Sequence, residues 1–412
     1  MANVVVIDAP PVPDTRRVSA AVAAAGVSSF ALLYAPQPVL PQLAAAFRLD
    51  PGSASLAIGV ATGSLAVAVL PLAWLAGLVG RRRVILWSVV LSAAIGLLLP
   101  LAPSFPVLLV MRAVQGVAIA GFAGVAAAYL ADVVGTVRLA GAVGAMIAGN
   151  SVGGMLGRLG AGFAAGPMGW HGALLTVAGV SGLCALYAAR TLPQAGDPMA
   201  EHTAEGVAGQ KDAGKRLGAG LVAPFAVGAL AMGAFVALYN AAGFRLTAPP
   251  LSLTPAAASL VFLSYAMGTA SSAAAGRVAG RLGRSKALVA ALLVTVAGSV
   301  LTLSTSLPLL AAGFAVLTAG FFAAHAIANA WVTAEAAPHA RGRAAGVYTL
   351  CYYLGSGAGG TVGSIVYGHA GWTWLIALTS VWLLLAIVAV LVRRRSSTRM
   401  SAPDPVTETC HR

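Results

Sequence analysis

Residues 108–121 read LLVMRAVQGVAIAG, an apolar run that is broken only by Arg112 and Gln115. Whether such a run can contain a cation depends on the solvent around it, and the composition of the whole chain indicates which solvent that is. The chain is 59% hydrophobic and only 9% charged, whereas soluble globular proteins carry about 25% charged residues. A chain of this composition cannot cover itself with a wetted surface, and we predict an integral membrane protein.

The apolar residues fall into twelve blocks, separated by short polar or glycine- and proline-containing joints. Blocks of roughly 20 residues fit the hydrocarbon core of a bilayer as helices, and they lack the alternation of barrel strands. The predicted fold is therefore an all-α membrane protein with 12 transmembrane helices. The blocks are 19–41, 54–79, 84–102, 106–131, 139–166, 171–192, 220–243, 256–280, 286–304, 307–332, 343–368 and 371–392.

The formal net charge of +14 would suggest a nucleic-acid partner in a soluble protein. The positions of the basic residues indicate topology instead. If the amino terminus is cytoplasmic, 20 of the 25 basic residues lie on the cytoplasmic side, Arg48 and Arg245 face outward, and three lie within helices. This asymmetry follows the positive-inside rule. We predict a multi-pass inner-membrane protein with both termini cytoplasmic and no nucleic-acid partner.

The chain contains an internal repeat. PGSASLAIG at 51–59 matches PAAASLVFL at 255–263 with an offset of 204, and GLVGRRR at 77–83 matches GRLGRSK at 280–286 with an offset of 203. The repeat predicts two pseudo-symmetric six-helix bundles. Secondary transporters with this arrangement bind their substrate between the two halves. The predicted divisions are tail 1–17, bundle 18–192, cytoplasmic linker 193–219, bundle 220–393 and tail 394–412.

Three stretches carry a resemblance to a known family. They are LAGLVGRRR at 75–83 with the matching segment VAGRLGRSK at 278–286, MRAVQGVAIA at 111–120, and GNSVGGMLGR at 149–158. On these the chain resembles a twelve-helix member of the major facilitator superfamily over all of residues 18–393. The resemblance implies a secondary transporter of the drug and small-molecule exporter branch, not an enzyme.

Each stretch is similar to one motif of that family. The first is similar to the loop motif of glycines and basic residues, with Gly77 and Gly280 standing where the motif has Asp. The second is similar to the Arg-x-x-Gln-Gly motif of exporters. The third is similar to the glycine-rich antiporter motif, with Asn150 standing where that motif has Pro.

Arg112 lies inside the fourth predicted helix, and Gln115 is three residues on, hence on the same face. A charged side chain at a helix centre costs on the order of 2.5–3.5 kcal/mol in a bilayer, so such groups face the protein interior or a wet cavity. Two interpretations stay open. Arg112 either fixes the packing of neighbouring helices, or it lines a cavity where it contacts substrate or gates coupling.

Other polar groups share the depth of Arg112. Counted from the predicted outer boundaries at 1.5 Å per residue, Arg112 lies about 9 Å deep, Tyr34 about 10 Å and Arg158 about 12 Å. Ser151 lies seven residues before Arg158, on nearly the same face. We predict one substrate-binding region, whose candidate residues are Tyr34, Gln37, Arg112, Gln115, Asn150, Ser151, Arg158, Tyr239 and Asn240.

Some of these candidates have a plain structural alternative. Tyr239 and Asn240 mirror Tyr34 in the seventh predicted helix, where aromatic packing explains Tyr239 equally well. Gln37 stands in YAPQPVLP at 34–41, whose prolines break or kink the end of the first helix. Gln37 therefore either lines an outer gate or marks the place where the helix ends.

The acidic residues avoid the helix interiors. Asp132 and Glu335 lie at the predicted cytoplasmic ends of the fourth and tenth helices, in equivalent places of the two halves. A carboxylate at a helix carboxyl end opposes the helix dipole, so it needs a cationic partner. We expect inner-gate ion pairs, with solvated surface pairs as the alternative. The candidate partners are Arg81, Arg82, Arg83, Arg281 and Arg284.

His325 is a lone imidazole in the tenth predicted helix and the one readily titratable group well inside the second half. An imidazole changes charge near physiological pH. It is either a hydrogen-bonded core histidine or the group that couples transport to protons.

Together these features predict a secondary active transporter that moves a small organic solute across the inner membrane by alternating access, with proton-coupled efflux as the expected mode. The alternatives are proton-coupled import of an organic anion and, from a different class, a non-transporting receptor or scaffold. The expected partners are a small-molecule substrate, protons and the lipid bilayer, and a monomer suffices. The sequence contains no Walker motif, metal-spaced His/Cys cluster or nucleophile triad, so we expect no cofactor and no metal.

Overall fold

The computed structural model of the protein describes residues 14–193, 218–337 and 340–400. Most of the predicted linker and tails (1–17, 193–219 and 394–412) lies outside the described residues. The same holds for the side chains of several basic residues assigned to the cytoplasmic side. These are Lys211, Lys215, Arg216, Arg394, Arg395, Arg399 and Arg412.

The described part of the chain is built from helices and contains no strand. It has 10 stretches that are long and apolar enough to cross a membrane. Two of them, Gly141–Thr191 and Arg341–Arg393, have 51 and 53 residues, or about 80 Å each at 1.5 Å per residue. That is more than twice the hydrocarbon thickness of about 30 Å. Each therefore holds two crossings, and the total is compatible with the twelve that the sequence predicts.

A glycine in the left-handed region marks the turn inside each long stretch. Gly169 has φ +64° and Gly371 has φ +80°, a conformation that side chains with a Cβ adopt poorly. We number the helices in chain order, with Gly169 dividing α5 from α6 and Gly371 dividing α11 from α12. They are α1 Thr15–Phe47, α2 Pro51–Val79, α3 Arg81–Leu101, α4 Phe105–Val134, α5 and α6 within Gly141–Thr191, α7 Val222–Thr247, α8 Pro255–Leu282, α9 Arg284–Leu301, α10 Leu307–Glu335, and α11 and α12 within Arg341–Arg393.

The prolines of α1 interrupt the helix without ending it. The regular α-helix stops at Tyr34, a short 3-10 segment covers Gln37–Val39, and α-helix resumes over Leu40–Phe47. Proline lacks the amide hydrogen that the ladder needs, which explains the break. The helix therefore runs six residues beyond the predicted end at residue 41, and the break turns Gln37 into the protein interior.

A row of glycines on α5 brings that helix into backbone contact with α1. A Cβ atom on Gly153 would lie 2.5 Å from the Cα of Val27, and one on Gly157 would lie 2.6 Å from the Cα of Ala31. Gly149 packs in the same way against Ala23, one turn earlier. Small residues at every fourth position allow this approach, which gives membrane helices their packing contacts. We call this the α1–α5 glycine seam.

The second half repeats the seam between α7 and α11. Gly355 packs against the backbone of Ala229 and Gly359 against Gly233. The π-helical turn Gly355–Gly359 lies in this contact. The internal repeat found in the sequence is thus a repeat of helix packing.

Each half also has its own buried apolar core. One buried cluster extends from Leu221 to Val390 and another from Val18 to Leu192. We call the end where Arg81 and Arg284 follow α2 and α8 the basic end, and the opposite end the far end. At the far end the halves touch closely, with Gly52 against Ile365 and Gly162 against Ser259.

We predict that Gly157→Ala lowers the thermal unfolding midpoint. Its Cβ would meet the Ala31 backbone, which cannot move aside as a side chain can, and overpacking of this kind costs about 1–3 kcal/mol. The measurement is thermal unfolding of the purified protein in detergent. Gly179→Ala is the matched control, because nothing lies within 4 Å of a Cβ at Gly179. Equal midpoints for the two variants would contradict the seam.

Candidate functional site

Arg158 of α5 lies where the two halves meet. Its side chain is 2% exposed. Its Nε donates to Oε1 of Gln37 at 2.5 Å, and its Nη1 donates to the carbonyl of Gly154, one turn earlier on α5, at 2.7 Å. Nε2 of Gln37 in turn donates to Oδ1 of Asn240 on α7 at 2.7 Å. A chain of hydrogen bonds thus links α5, α1 and α7 across the halves.

Aromatic rings from both halves surround the guanidinium of Arg158. Its central carbon lies 3.9 Å from the ring centroid of Tyr34 on α1, 4.6 Å from that of Tyr265 and 5.4 Å from that of Phe262 on α8. Each ring is within the distance at which the π face attracts a cation. These faces replace part of the hydration that the buried cation has lost.

No carboxylate pairs with Arg158 among the described residues. The ion pairs that the structure shows for its own part of the chain lie at the basic end, Arg81 with Asp132 and Arg393 with Glu335. A buried cation without a counter-ion is expensive in a membrane and is a functional-site candidate by default. Arg158, Tyr34, Gln37 and Asn240 were all predicted as site residues from the sequence, and the fold brings these four together.

Arg112 is packed differently. It is 0% exposed, and its donors go to main-chain oxygens of two neighbouring helices. Nε bonds Ala57 at 2.7 Å, Nη1 bonds Leu32 at 3.1 Å and Nη2 bonds Leu33 at 2.6 Å. Nη1 also bonds Gln115 on α4 itself. Gln115 donates to the carbonyl of Ser92 on α3 at 2.9 Å. This geometry favours the packing interpretation for Arg112 and Gln115 over direct contact with substrate.

The other predicted binding residues are spread over the protein. Tyr239 is buried in the second half, where its hydroxyl bonds Ser264 and, at 2.7 Å, Thr318. Asn150 lies beside Gly26 on the α1–α5 contact, and its Oδ1 is buried without a hydrogen bond. Ser151 is half-buried on α5. Among the described residues, none of these three makes a hydrogen bond with Arg158, although Tyr239 packs on Phe262 and Tyr265, the α8 rings that face Arg158.

The predicted gate residues form ion pairs, but each pair lies within one half. Asp132 at the end of α4 pairs with Arg81 at the start of α3, as expected. Glu335 pairs with Arg393 at 2.8 Å rather than with the predicted Arg281 or Arg284, because the last turn of α12 ends beside the last turn of α10.

The remaining predicted gate cations have other environments. Nε of Arg82 donates to the carbonyl of Leu192 at 2.8 Å, and Nη1 of Arg83 donates to that of Val79 at 3.4 Å. Arg281 and Arg284 are exposed at the basic end, on either side of the joint between α8 and α9. In this structure none of these side chains bridges the halves through a described ion pair.

His325 is half-buried on α10, in an aromatic pocket. Its Nδ1 lies 2.8 Å from the hydroxyl of Tyr348 on α11. The imidazole centroid is 4.6 Å from the ring of Tyr352 and 6.2 Å from that of Phe321. The hydrogen bond to Tyr348 fits the interpretation of His325 as a core histidine, and its partial exposure fits the interpretation as a coupling group.

Sequence reasoning missed the aromatic residues of α8. Phe262 lies in the repeated segment 255–263 and Tyr265 follows it, and the repeat offset of 204 aligns them with Ile58 and Ala61 of α2. One half thus carries rings where the other carries aliphatic side chains. This difference between equivalent positions is the signal that would have pointed to them.

Comparisons with known proteins agree with this architecture. The Major Facilitator Superfamily model matches residues 22–247 and 225–409. The chain is 36% identical over 395 residues to the Escherichia coli K12 inner membrane transport protein YnfM, covering 95% of this chain and 93% of that protein. It is 32% identical over 375 residues to the Bacillus subtilis 168 uncharacterized MFS-type transporter YybF, covering 91% and 93%.

Solved structures share the fold at lower identity. An inward-facing, occupied bacterial homolog of the human lysosomal transporter Spinster has a TM-score of 0.78 at 16% identity, covering 96% of this chain and 100% of that one. The human organic anion transporter MFSD10 has a TM-score of 0.62 at 20% identity, covering 93% and 100%. At these identities the match concerns the fold alone.

We predict that the two buried arginines differ in their effect on stability. Arg112→Met leaves the contacts with Ala57, Leu32 and Leu33 unmade and should lower the thermal midpoint and the membrane abundance, at a cost of about 2–4 kcal/mol. Arg158→Met removes a buried cation that has no counter-ion, so the midpoint should stay the same or rise. The measurements are thermal unfolding in detergent and quantitative membrane immunoblotting. A larger loss for Arg158→Met than for Arg112→Met would refute this division of roles.

Proposed function

The chain belongs to the major facilitator superfamily and is a multi-pass membrane transporter, and from that membership we propose that it exports a small organic solute in exchange for protons by alternating access. The family and the paired six-helix bundles support a carrier in which two halves rock about a central site. The finer parts of the proposal, its direction and its coupling ion, come from the distribution of contacts and of titratable groups.

The observation that carries the proposal is the closure of the far end. The hydrogen bond from Gln37 to Asn240, at 2.7 Å, joins α1 to α7 across the halves, and Gly162 packs against Ser259 between α5 and α8. Towards the basic end α8 is loosely covered, and within its regular segment Tyr265–Leu282 only Gly268 and Ala275 are buried. This asymmetry supports a carrier state that is closed at the far end and accessible from the basic end.

The charge distribution supports the direction. The positive-inside rule places the basic end, with Arg81–Arg83, Arg281 and Arg284, in the cytoplasm, and with it both termini. In an exporter, the state that is open to the cytoplasm is the one that takes up solute, so this structure fits the loading state of the proposed cycle. We therefore place the protein in the inner membrane as an exporter, and a monomer contains the whole site.

His325 supports coupling to protons. It is the one imidazole in the pocket formed by α10 and α11, and the acidic residues of the described chain lie at helix ends. Protonation of this half-buried ring would change its hydrogen bond with Tyr348. The change would reach α11, the helix that packs against α2 of the other half.

The ion pairs at the basic end fit a supporting role in this cycle. Arg81 with Asp132 ties α3 to α4, and Arg393 with Glu335 ties α12 to α10. Because each pair stays within one half, we propose that they keep each half rigid while it rocks. Proton-coupled import of an organic anion is the second candidate, since the buried Arg158 without a counter-ion suits an anionic solute in either direction of transport.

We predict that locking the far end stops transport. Gln37→Cys with Asn240→Cys, in a background where Cys184, Cys351 and Cys410 are changed to Ser, should be joined by a short bifunctional thiol reagent. Proteoliposomes containing a pH-sensitive dye and an imposed pH gradient are screened with a solute panel, and the lock should abolish the solute-driven proton flux.

The matched control for the lock is Arg81→Cys with Asp132→Cys in the same background. It joins two helices of one half, so its flux should persist after crosslinking. Persistent flux in the locked Gln37/Asn240 variant would contradict alternating access through the far end, and inversion of the gradient separates export from import.

We predict that His325→Gln uncouples transport from protons. Solute-driven proton flux should fall to the level of empty vesicles, while exchange of labelled for unlabelled solute without a gradient continues, because exchange requires no net proton movement. Tyr348→Phe is the control, since it removes the hydroxyl partner and keeps the imidazole, and it should retain coupled flux. Unchanged flux in His325→Gln would show that another group carries the proton.

A further inference from the structure

Two tyrosines have rings that face Arg158, and two more on α11 pack in the same cluster as the first of them. They are Tyr34 on α1, Tyr265 on α8, and Tyr352 and Tyr353 on α11. Within the described residues none of these hydroxyls makes a hydrogen bond, and none is among the fully enclosed polar atoms that lack a partner. Other buried tyrosines are satisfied. Tyr129, for example, donates to the carbonyl of Pro193 at 2.8 Å.

These tyrosines share one space. Tyr34 and Tyr353 belong to one buried cluster, and Tyr352 packs against it. The central carbon of the Arg158 guanidinium lies 3.9 Å from the ring centroid of Tyr34 and 4.6 Å from that of Tyr265. The rings of Tyr352 and Tyr353 meet edge to face at 5.2 Å. We call Arg158 and these four tyrosines the phenol chamber. It takes groups from both halves, which is the arrangement expected of an alternating-access substrate site.

The chamber supplies hydrogen-bond donors and no negative charge. Nη2 of Arg158 makes no hydrogen bond with the described residues, so it remains available in addition to the four hydroxyls. The acidic side chains of the described chain lie at helix ends, Asp14 and Asp50 as amino-terminal caps and Asp132 and Glu335 at the basic end. One guanidinium with phenolic donors complements a single oxyanion, because charge-assisted hydrogen bonds are the strongest available to it.

The walls of the chamber are aromatic. Tyr265 meets Phe322 at 5.6 Å in an edge-to-face arrangement, and the His325 ring lies 4.6 Å from Tyr352. Aromatic rings prefer such offset or edge contacts with other rings, which stabilise a bound ring beyond the area it buries. Walls of this kind select a flat apolar body over an aliphatic one of equal size.

We propose, on the basis of the transport function above, that the solute is a small monoanion with a planar aromatic body. Its oxyanion binds Nη2 of Arg158 and the adjacent phenols, and its ring packs against Tyr265 and Tyr352. Binding in this chamber would join α5 and α1 of the first half to α8 and α11 of the second.

The test is isothermal titration calorimetry of the purified full chain in detergent with four probes. Benzenesulfonate carries both features, and its sulfonate stays ionised at every working pH. Benzenesulfonamide keeps the ring without the charge, methanesulfonate keeps the charge without the ring, and cyclohexanesulfonate replaces the ring by an aliphatic one. Benzenesulfonate should bind at least about tenfold more tightly than benzenesulfonamide and methanesulfonate, and about threefold to tenfold more tightly than cyclohexanesulfonate.

Variants assign the two preferences to residues. Arg158→Gln should weaken benzenesulfonate binding at least about tenfold and leave benzenesulfonamide unchanged. Tyr265→Leu should remove the advantage of benzenesulfonate over cyclohexanesulfonate, whereas Tyr265→Phe keeps it. Arg245→Gln is the control, because Arg245 stacks on Trp372 at 5.0 Å outside the chamber, and it should leave every affinity unchanged.

Three outcomes would overturn the proposal: no binding of any probe, equal affinity for the sulfonate and the sulfonamide, or no effect of Arg158→Gln. Two results distinguish failure of the aromatic-anion proposal from failure of the proposed transport function. A neutral solute that drives proton flux in proteoliposomes overturns the aromatic anion and leaves the carrier intact. Benzenesulfonate that binds through Arg158 but moves under no imposed gradient supports the site and contradicts the transport proposal.

Discussion

Two guanidinium groups buried in a membrane protein that keeps its carboxylates at helix ends are the constraint on which this structure depends. A buried charge must find oxygen atoms, ring faces or a ligand, because lipid supplies none of them. Arg112 is satisfied by main-chain oxygens and Gln115, and its 0% exposure leaves nothing for a solute. Arg158 donates two hydrogen bonds and lies against three ring faces. Arg112 therefore holds helices together, whereas Arg158 has a donor left with which it can bind a solute.

The glycine seam determines which groups Arg158 meets. Gly157 immediately precedes Arg158 and presses α5 against Ala31 of α1, three residues before Tyr34. Close backbone approach at that point puts the Tyr34 ring and the Gln37 amide within reach of the guanidinium. The equivalent seam between α7 and α11 sets Asn240 beside Gly360. The glycines that pack the helices together therefore also determine the geometry of the site.

Most of the fold could be predicted from the sequence, because the lengths of the apolar blocks and the internal repeat can be read directly from one chain. A depth for Arg158, Tyr34 and Arg112 can also be counted along each helix, and it stays a prediction. The direction in which each side chain points around its helix did not follow from the sequence. Arg112 and Arg158 have similar predicted depths but different environments, and this depends on helix rotations set by seams such as Gly153 against Val27. Glu335 was assigned the wrong partner for a related reason, because the neighbours of α10 at the basic end depend on how α12 packs.

Gln37 connects solute binding to closure of the far end. Its amide oxygen accepts from Arg158, and its amide nitrogen donates to Asn240 across the halves. Nδ2 of Asn240 is buried and has no acceptor among the described residues, and an unsatisfied buried donor costs about 1–3 kcal/mol. The far end thus contains one hydrogen bond between the halves, from Gln37 to Asn240, and one buried donor without an acceptor, Nδ2 of Asn240. The proposed anion binds Nη2 of Arg158, and by drawing the guanidinium towards itself it would move Nε away from the oxygen of Gln37. Under the proposed binding mode, loss of the Arg158 bond would free the Gln37 side chain that donates to Asn240, which would link occupancy of the site to opening of the far end.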